Sequence, residues 1–123
     1  MATEIPSARI SPQNDRGVLK FYEGDTFTMN LHLDLKDQDG EAIHFDNDTD
    51  TFKLTFYNKK NTAVKEFTYG VGGTSVTEDT CEIDFTDVVT ALFPKGEYHY
   101  DGIWKRTGFR RVTIISDAQL CVL

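Results

Sequence analysis

The chain has 123 residues, 39% hydrophobic and 27% charged, and a formal net charge of −7 at pH 7. That length suits one domain with room for a core that needs neither disulfide nor metal. The acidic balance argues against nucleic acid or an anionic membrane as the main partner, since both call for a basic face. No apolar run approaches the roughly 18 residues of a membrane-spanning helix.

Residues 1–17 mix Pro, Ser, Asn, Asp and Arg with few apolar side chains. They read as a loose arm, with a short strand around Ala8–Ile10. The start, MATEIPSARISPQ, has neither a charged n-region nor an apolar h-region, so no secretion signal is expected. From Val18 to the end, residues 18–123 read as a single β domain. Val18–Tyr22 is a first strand candidate, and Glu23-Gly24-Asp25 is a turn.

Thr26–Leu35 alternates most clearly, with Phe27, Met29, Leu31, Leu33 and Leu35 on one face and Thr28, Asn30, His32 and Asp34 on the other. This predicts an antiparallel strand with one wet face. Asp39-Gly40 closes a hairpin onto Glu41–Phe45. After the polar loop 46–50, Thr51–Tyr57 and Ala63–Tyr69 form a second hairpin around Asn58–Asn61. Gly70-Val71-Gly72-Gly73 reads as a flexible loop.

Cys81–Phe85 is a short strand, with Cys81, Ile83 and Phe85 inward. The period then changes: Thr86-Asp87 caps one helical turn over Val88, Val89, Leu92 and Phe93, and Pro94 ends it. Glu97–Trp104 is the central strand. It places Tyr98, Tyr100, Gly102 and Trp104, which includes the only tryptophan, on one face. That face is expected to be core. Thr107-Gly108 makes a hairpin, Phe109–Ile115 is a strand, Ser116-Asp117 bends it, and Ala118–Leu123 finishes the chain. Roughly seven to nine short strands with almost no helix predict an all-β, antiparallel β-sandwich.

Three motifs follow one another in this order: Gly24-Asp25-Thr26 opening the alternating strand, Asp84-Phe85-Thr86, and Pro94-Lys95-Gly96-Glu97-Tyr98-His99-Tyr100-Asp101. With the Asp39-Gly40 hairpin and a terminal strand pair, this resembles the immunoglobulin-like N-terminal domain of phage baseplate upper proteins, and related small tail proteins of phages infecting Gram-positive bacteria. The resemblance covers roughly Val18–Val122. It implies an Ig-like sandwich and a structural role in a virion, made in the bacterial cytoplasm. Protein partners in a symmetric assembly, including copies of itself as a homo-oligomer, are then expected. Baseplate proteins of that type continue past this domain, so a chain ending at Leu123 is expected to act as a small stand-alone protein.

Few residues suggest chemistry. There is no Gly-x-Ser-x-Gly elbow, and Gly70–Gly73 lacks the Lys-Ser/Thr of a phosphate loop. No catalytic residue, cofactor-binding residue or cofactor is assigned, and no enzymatic activity is expected. His32, His44 and His99 fall on polar positions of strands without a metal-ligand spacing. The acids Asp37, Asp39 and Glu41 in one hairpin, and Asp46, Asp48 and Asp50 in the next loop, are weak calcium candidates. Solvated turn acids are the plainer expectation, since no EF-hand pattern is present. Lys105, Arg106, Arg110 and Arg111 read as a solvated hairpin tip. Cys81 and Cys121 are expected to be reduced and buried. The alternative function is a carbohydrate-binding sandwich, with a sugar platform drawn from Tyr22, Tyr57, Tyr69, Tyr98, Tyr100 and Trp104. A small acidic inhibitor or adaptor is the third.

Overall fold

The structure is a computed structural model that describes residues 9–10, 19–36 and 39–123. Of the arm 1–17, only the pair Arg9–Ile10 falls among them; the rest of that expectation, and Asp37, lie outside the described residues. The fold is all-β. In chain order the strands are β1 (Arg9–Ile10), β2 (Leu19–Phe21), β3 (Phe27–His32), β4 (Leu35–Lys36), β5 (Ala42–Ile43), β6 (Asp50–Asn58), β7 (Ala63–Gly70) and β8 (Thr80–Phe85). A single turn, α1 (Asp87–Thr90), leads to β9 (Gly96–Arg106) and β10 (Val112–Val122).

Five strands form one sheet in the order β2-β10-β9-β6-β7, three form a second in the order β1-β3-β8, and β4-β5 is a separate hairpin. The long β9 sits at the centre of the larger sheet, between β10 and β6. Its inward residues are those expected from the alternation. Trp104 and Tyr100 are fully buried, Tyr98 nearly so, and Gly102 lies between them. Gly102 has a packing reason: a Cβ there would lie 2.8 Å from the ring of Phe52 and 3.1 Å from Ile115. The absent side chain is filled by that ring, which faces β9 across the sheet.

The two sheets meet through aromatic rings. Phe85 on β8 packs edge-on against Phe56 on β6, with centroids 5.8 Å apart, and stacks on Phe27 at 4.7 Å. Phe56 also touches Tyr100 at 4.9 Å and Phe93 at 5.5 Å. Such offset and edge-to-face pairs add about 0.5–1.5 kcal/mol beyond the area they bury. At one margin, the Tyr69 hydroxyl on β7 donates to the Glu82 carbonyl on β8 at 2.7 Å and ties the two sheets together.

The structure differs from the sequence reading in several places. There are ten strands among the described residues, not seven to nine. The expected strand Thr26–Leu35 breaks after His32, where its partner β8 begins at Thr80 and the Glu78–Asp79 turn (φ 50° and 60°) leads away; one further rung, the Leu33 amide to the Asp79 carbonyl at 2.7 Å, keeps the register. Leu33 and Leu35 nevertheless stay buried. The last two expected strands are one. Asp117 adopts φ 54° and its amide donates to Asp101 Oδ1, so the bend is a bulge inside β10. The pairing is not wholly antiparallel either: β2 runs parallel to β10, with Leu19, Lys20 and Phe21 opposite Leu120, Cys121 and Val122. A parallel pair needs a long crossover, and here everything from β3 to β9 supplies it. The 70–73 loop is tightly seated, not loose. Gly70 has φ 87°, and a Cβ there would fall 2.1 Å from the Asp50 carbonyl.

Thr86 caps α1, accepting a hydrogen bond from the Val89 amide. Val89 and Phe93 face the core, while Val88 and Leu92 point outward.

Two buried polar atoms, the Tyr100 hydroxyl and Trp104 Nε1, have no hydrogen-bond partner among the described residues. An unmet buried hydroxyl carries its full desolvation cost. Tyr100→Phe is therefore expected to raise stability by about 1 kcal/mol, read as a higher urea midpoint at unchanged slope. A loss of that size would instead reveal a bond to the hydroxyl.

Candidate functional site

The residues singled out in the sequence converge most densely at one end of the molecule, where β6 begins and β9 ends. Asp50 is fully buried, which overturns its reading as a solvated turn acid. Its carboxylate receives Arg106 Nε at 2.7 Å on Oδ1 and Arg106 Nη2 at 2.9 Å on Oδ2. The same carboxylate accepts the Asp46 amide at 3.0 Å and the Thr49 hydroxyl at 3.2 Å. Arg106 also donates to the His44 carbonyl and lies over the Trp104 ring, 5.4 Å from its centroid. The pairing follows from register, since Asp50 stands opposite Arg106 across β6 and β9. The expected basic cluster is thus divided: Arg106 is drawn inward, and Lys105, Arg110 and Arg111 are exposed.

The bidentate pair organises the loops at this end. The Asp50 amide donates to the Asp46 carbonyl, and the Val71 amide to the Asp50 carbonyl. Nearby, Asp79 accepts from the Phe45 amide at 2.7 Å and lies 2.8 Å from His44 Nδ1. Glu78 and Asp79 make a two-residue turn with φ 50° and 60° between the paired Thr77 and Thr80. Two successive non-glycine residues in that region are strained. The bonds that Asp79 makes to residues 33, 44 and 45 hold the turn in place.

The calcium candidates do not come together as a donor set. Asp50 spends both oxygens on Arg106 and the 46–49 loop, and Asp46 Oδ1 accepts the Asp48 amide. Asp39 and Glu41 are exposed on the β4–β5 turn. Among the described residues, no group of three or more His, Cys, Asp or Glu side chains is placed to hold a metal ion. Sequence reasoning missed the role of Asp50 because a carboxylate in a run of acids looks like loop; its cation lies 56 residues away.

The tyrosine platform also disperses. Tyr69, Tyr98 and Tyr100 are buried, as is Trp104, while Tyr22 is 66% exposed at the opposite end. Tyr57 is half-buried on the outer face of the larger sheet and stacks on His99 at 5.2 Å. Beside this pair lies a shallow depression of about 480 Å³ lined by residues that include Lys59, Glu97, Gln119 and Cys121. Lys59 and Glu97 bridge it at 3.4 Å, but both are largely exposed, and such pairs contribute at most about 1 kcal/mol.

Both cysteines are free thiols. Cys81 is fully buried as expected, but Cys121 is only half-buried, because it points to the outer face of β10. Burial pushes the Cys81 thiol up to about 12 and the Tyr100 hydroxyl up to about 12. Burial likewise raises Tyr69, with Cys81, Asp84 and Glu82 adding to the effect. All three keep their protons in the fold while the unfolded chain releases them from 9.0 for cysteine and 10.0 for tyrosine. Above those values the folded state binds more protons, so stability is full below about pH 8.5 and falls as pH rises, by up to about 1.4 kcal/mol per pH unit and group. Urea titrations between pH 8 and pH 11 are expected to show that decline, and Cys81→Ala to remove its earliest part. A midpoint as steep in the variant as in the parent would show that Cys81 does not contribute. Thiol titration of the native protein is expected to find Cys121 and not Cys81.

β7 lies at one margin of the larger sheet. Its Thr68–Gly70 end is covered by the returning loop, through Thr74 amide to Thr68 carbonyl and Gly70 amide to Thr74 carbonyl. Ala63–Phe67 pairs only with β6 among the described strands. In the smaller sheet, β1 pairs among the described residues with the Leu31–His32 end of β3.

No family model matches the chain, and no curated protein matches it. No helix among the described residues is long and apolar enough to cross a membrane.

Proposed function

We propose that this chain is an Ig-like β-sandwich that serves as a non-enzymatic structural module of a phage or prophage virion, in the tail or baseplate, where it assembles with protein partners. The observation that carries the reading is the Ala63–Phe67 edge of β7, which is open among the described residues. Unpaired strand edges accept another chain's backbone, and proteins that do not use them usually keep them short or covered. The family resemblance of Pro94–Asp101 supports the same class. So does the Tyr98 hydroxyl, which donates to the Pro94 carbonyl four residues upstream at the entrance of a late strand; immunoglobulin-type sandwiches use such a bond at that corner.

The test is direct. Particles induced from a lysogen encoding the chain and purified on a density gradient are expected to contain it at a fixed copy number by mass spectrometry. Antibody against it is expected to label tails in immuno-electron microscopy. Its absence from purified particles would overturn the reading. A carbohydrate-binding module is the second reading, favoured by the depression beside the Tyr57–His99 stack. Tight glycan binding by the isolated monomer, lost in Tyr57→Ala, would put that reading first.

A further inference from the structure

The strand directions give the molecule two unlike ends. β9 runs from Gly96 to Arg106 and β10 returns from Val112 to Val122, with β2 alongside β10. The 107–111 tip therefore lies at one end, and the 22–25 turn with α1 lies at the other. Among the described residues the exposed large hydrophobic side chains are Tyr22, Val71, Val88, Leu92 and Leu123, and all but Val71 belong to that second end. Val88 and Leu92 are four apart and point outward together, 78% and 44% exposed. Concentrated exposed apolar surface marks an interaction site.

This end also has shape and charge. A cleft of about 280 Å³ separates Glu23 and Gly24 on one lip from Asp87, Ala91 and Pro94 on the other. Glu23, Asp25 and Asp87 are exposed around it, against Lys95. The two lips are held at a set distance, because the Thr90 hydroxyl donates to the Asp25 carbonyl at 2.7 Å and the Lys95 amide to Glu23 Oε2 at 3.2 Å.

The opposite end offers the complement. In a chain of net charge −7, the hairpin tip presents exposed Lys105, Arg110 and Arg111 around the half-buried Phe109. The acids Asp46 and Asp48 lie on the adjoining loop, which confines the positive surface to the tip. The tip is already shaped: the Thr107 amide and hydroxyl both donate to the Thr49 carbonyl, and Lys105 Nζ donates to the Phe109 carbonyl. A rigid tip loses little freedom on docking.

We infer that copies of this chain pack head to tail, with the basic 107–111 tip of one copy seated against the acidic, apolar end between the 22–25 turn and α1 of the next. The inference rests on the assembly reading above and names a second copy as the partner. The two surfaces are different and lie at opposite ends, so a pair leaves one of each unused. Such heterologous contacts close into rings or extend into filaments.

Sedimentation velocity of the full chain, in a series up to about 1 mM, is expected to show growth past the dimer at about 20 mM salt and its loss at about 500 mM, where screening is nearly complete. Arg110→Glu/Arg111→Glu and Glu23→Lys/Asp87→Lys are each expected to weaken association at least about tenfold. Arg110 and Arg111 are exposed, so the melting temperature of that variant should hold. Because Glu23 accepts the Lys95 amide and Asp87 lies in the first turn of α1, the melting temperature is measured for the cleft variant too, and Leu92→Ser is a second cleft variant that leaves both features in place. The decisive measurement mixes the two charge-reversed proteins. Each variant retains the surface that the other lacks, so the mixture brings an intact tip to an intact cleft, and the reversed tip to the reversed cleft, and is expected to regain the association that neither variant shows alone. Variants that assemble like the parent, or a mixture that stays monomeric, would overturn the inference. A monomeric parent that is still found in purified particles would overturn the head-to-tail contact alone and leave the assembly reading standing. A monomeric parent that binds glycan tightly would overturn both.

Discussion

Arg106→Met is expected to lower the unfolding free energy by about 3–5 kcal/mol, because it leaves the Asp50 carboxylate buried without its cation. Asp50 has no exposed surface and Arg106 is 18% exposed, so solvent cannot replace the guanidinium. Removal also strips one donor from the His44 carbonyl and lifts the cation from the Trp104 ring. The size of the effect separates this pair from Lys59–Glu97, whose exposed side chains meet at 3.4 Å and whose loss is expected to be within about 1 kcal/mol. Urea unfolding of the two variants side by side measures the contrast. Asp50→Asn in the Arg106→Met background is expected to recover part of the loss, since a neutral amide still accepts the Asp46 amide and no charge remains buried. A double variant that is worse by the sum of the single effects would show that the loop contacts, and not the buried charge, carry the stability.

Trp104→Ala is expected to cost about 3–5 kcal/mol, from lost transfer energy and the cavity left behind. Trp104 is the largest fully buried side chain, directly opposite Phe52 and Val112 on the neighbouring strands. Its surroundings cannot collapse inward easily, because the β9 backbone at Gly102 leaves no room for even a Cβ beside Phe52, whose ring such an atom would meet at 2.8 Å. The native protein should show a blue-shifted tryptophan emission that acrylamide quenches poorly. Red, readily quenched emission would remove Trp104 from the core and weaken the account of β9 as the centre of the sheet.

The residues that were legible in the sequence are those whose information is local. Strand alternation in Phe27–Leu35, Thr51–Tyr57 and Glu97–Trp104 located the inward face correctly, because side chains alternate strictly along a pleated strand and a single face is buried. The helical turn at 87–90 was legible for the same reason: Thr86, Asp87 and Pro94 act within a few residues of themselves. Misreadings occurred where a partner far away in sequence decides. Asp50 and the 70–73 glycines both looked like solvent-facing loop. Both are instead fixed by contacts to residues brought in by strand pairing, Arg106 in one case and Asp50 in the other.

By itself the sequence determined that the chain is all-β, that Tyr98, Tyr100 and Trp104 face inward, and that its surface is acidic. Periodicity and composition are properties of the chain alone, and burial of the apolar face follows from them whatever the topology. Only the tertiary structure decided that β2 runs parallel to β10, that Arg106 and Asp50 form a buried pair, and that the exposed apolar residues other than Val71 gather at the end opposite the basic tip. Each of these depends on which strands become neighbours, and neighbours are chosen by the summed packing of the whole core, which no single stretch of residues encodes.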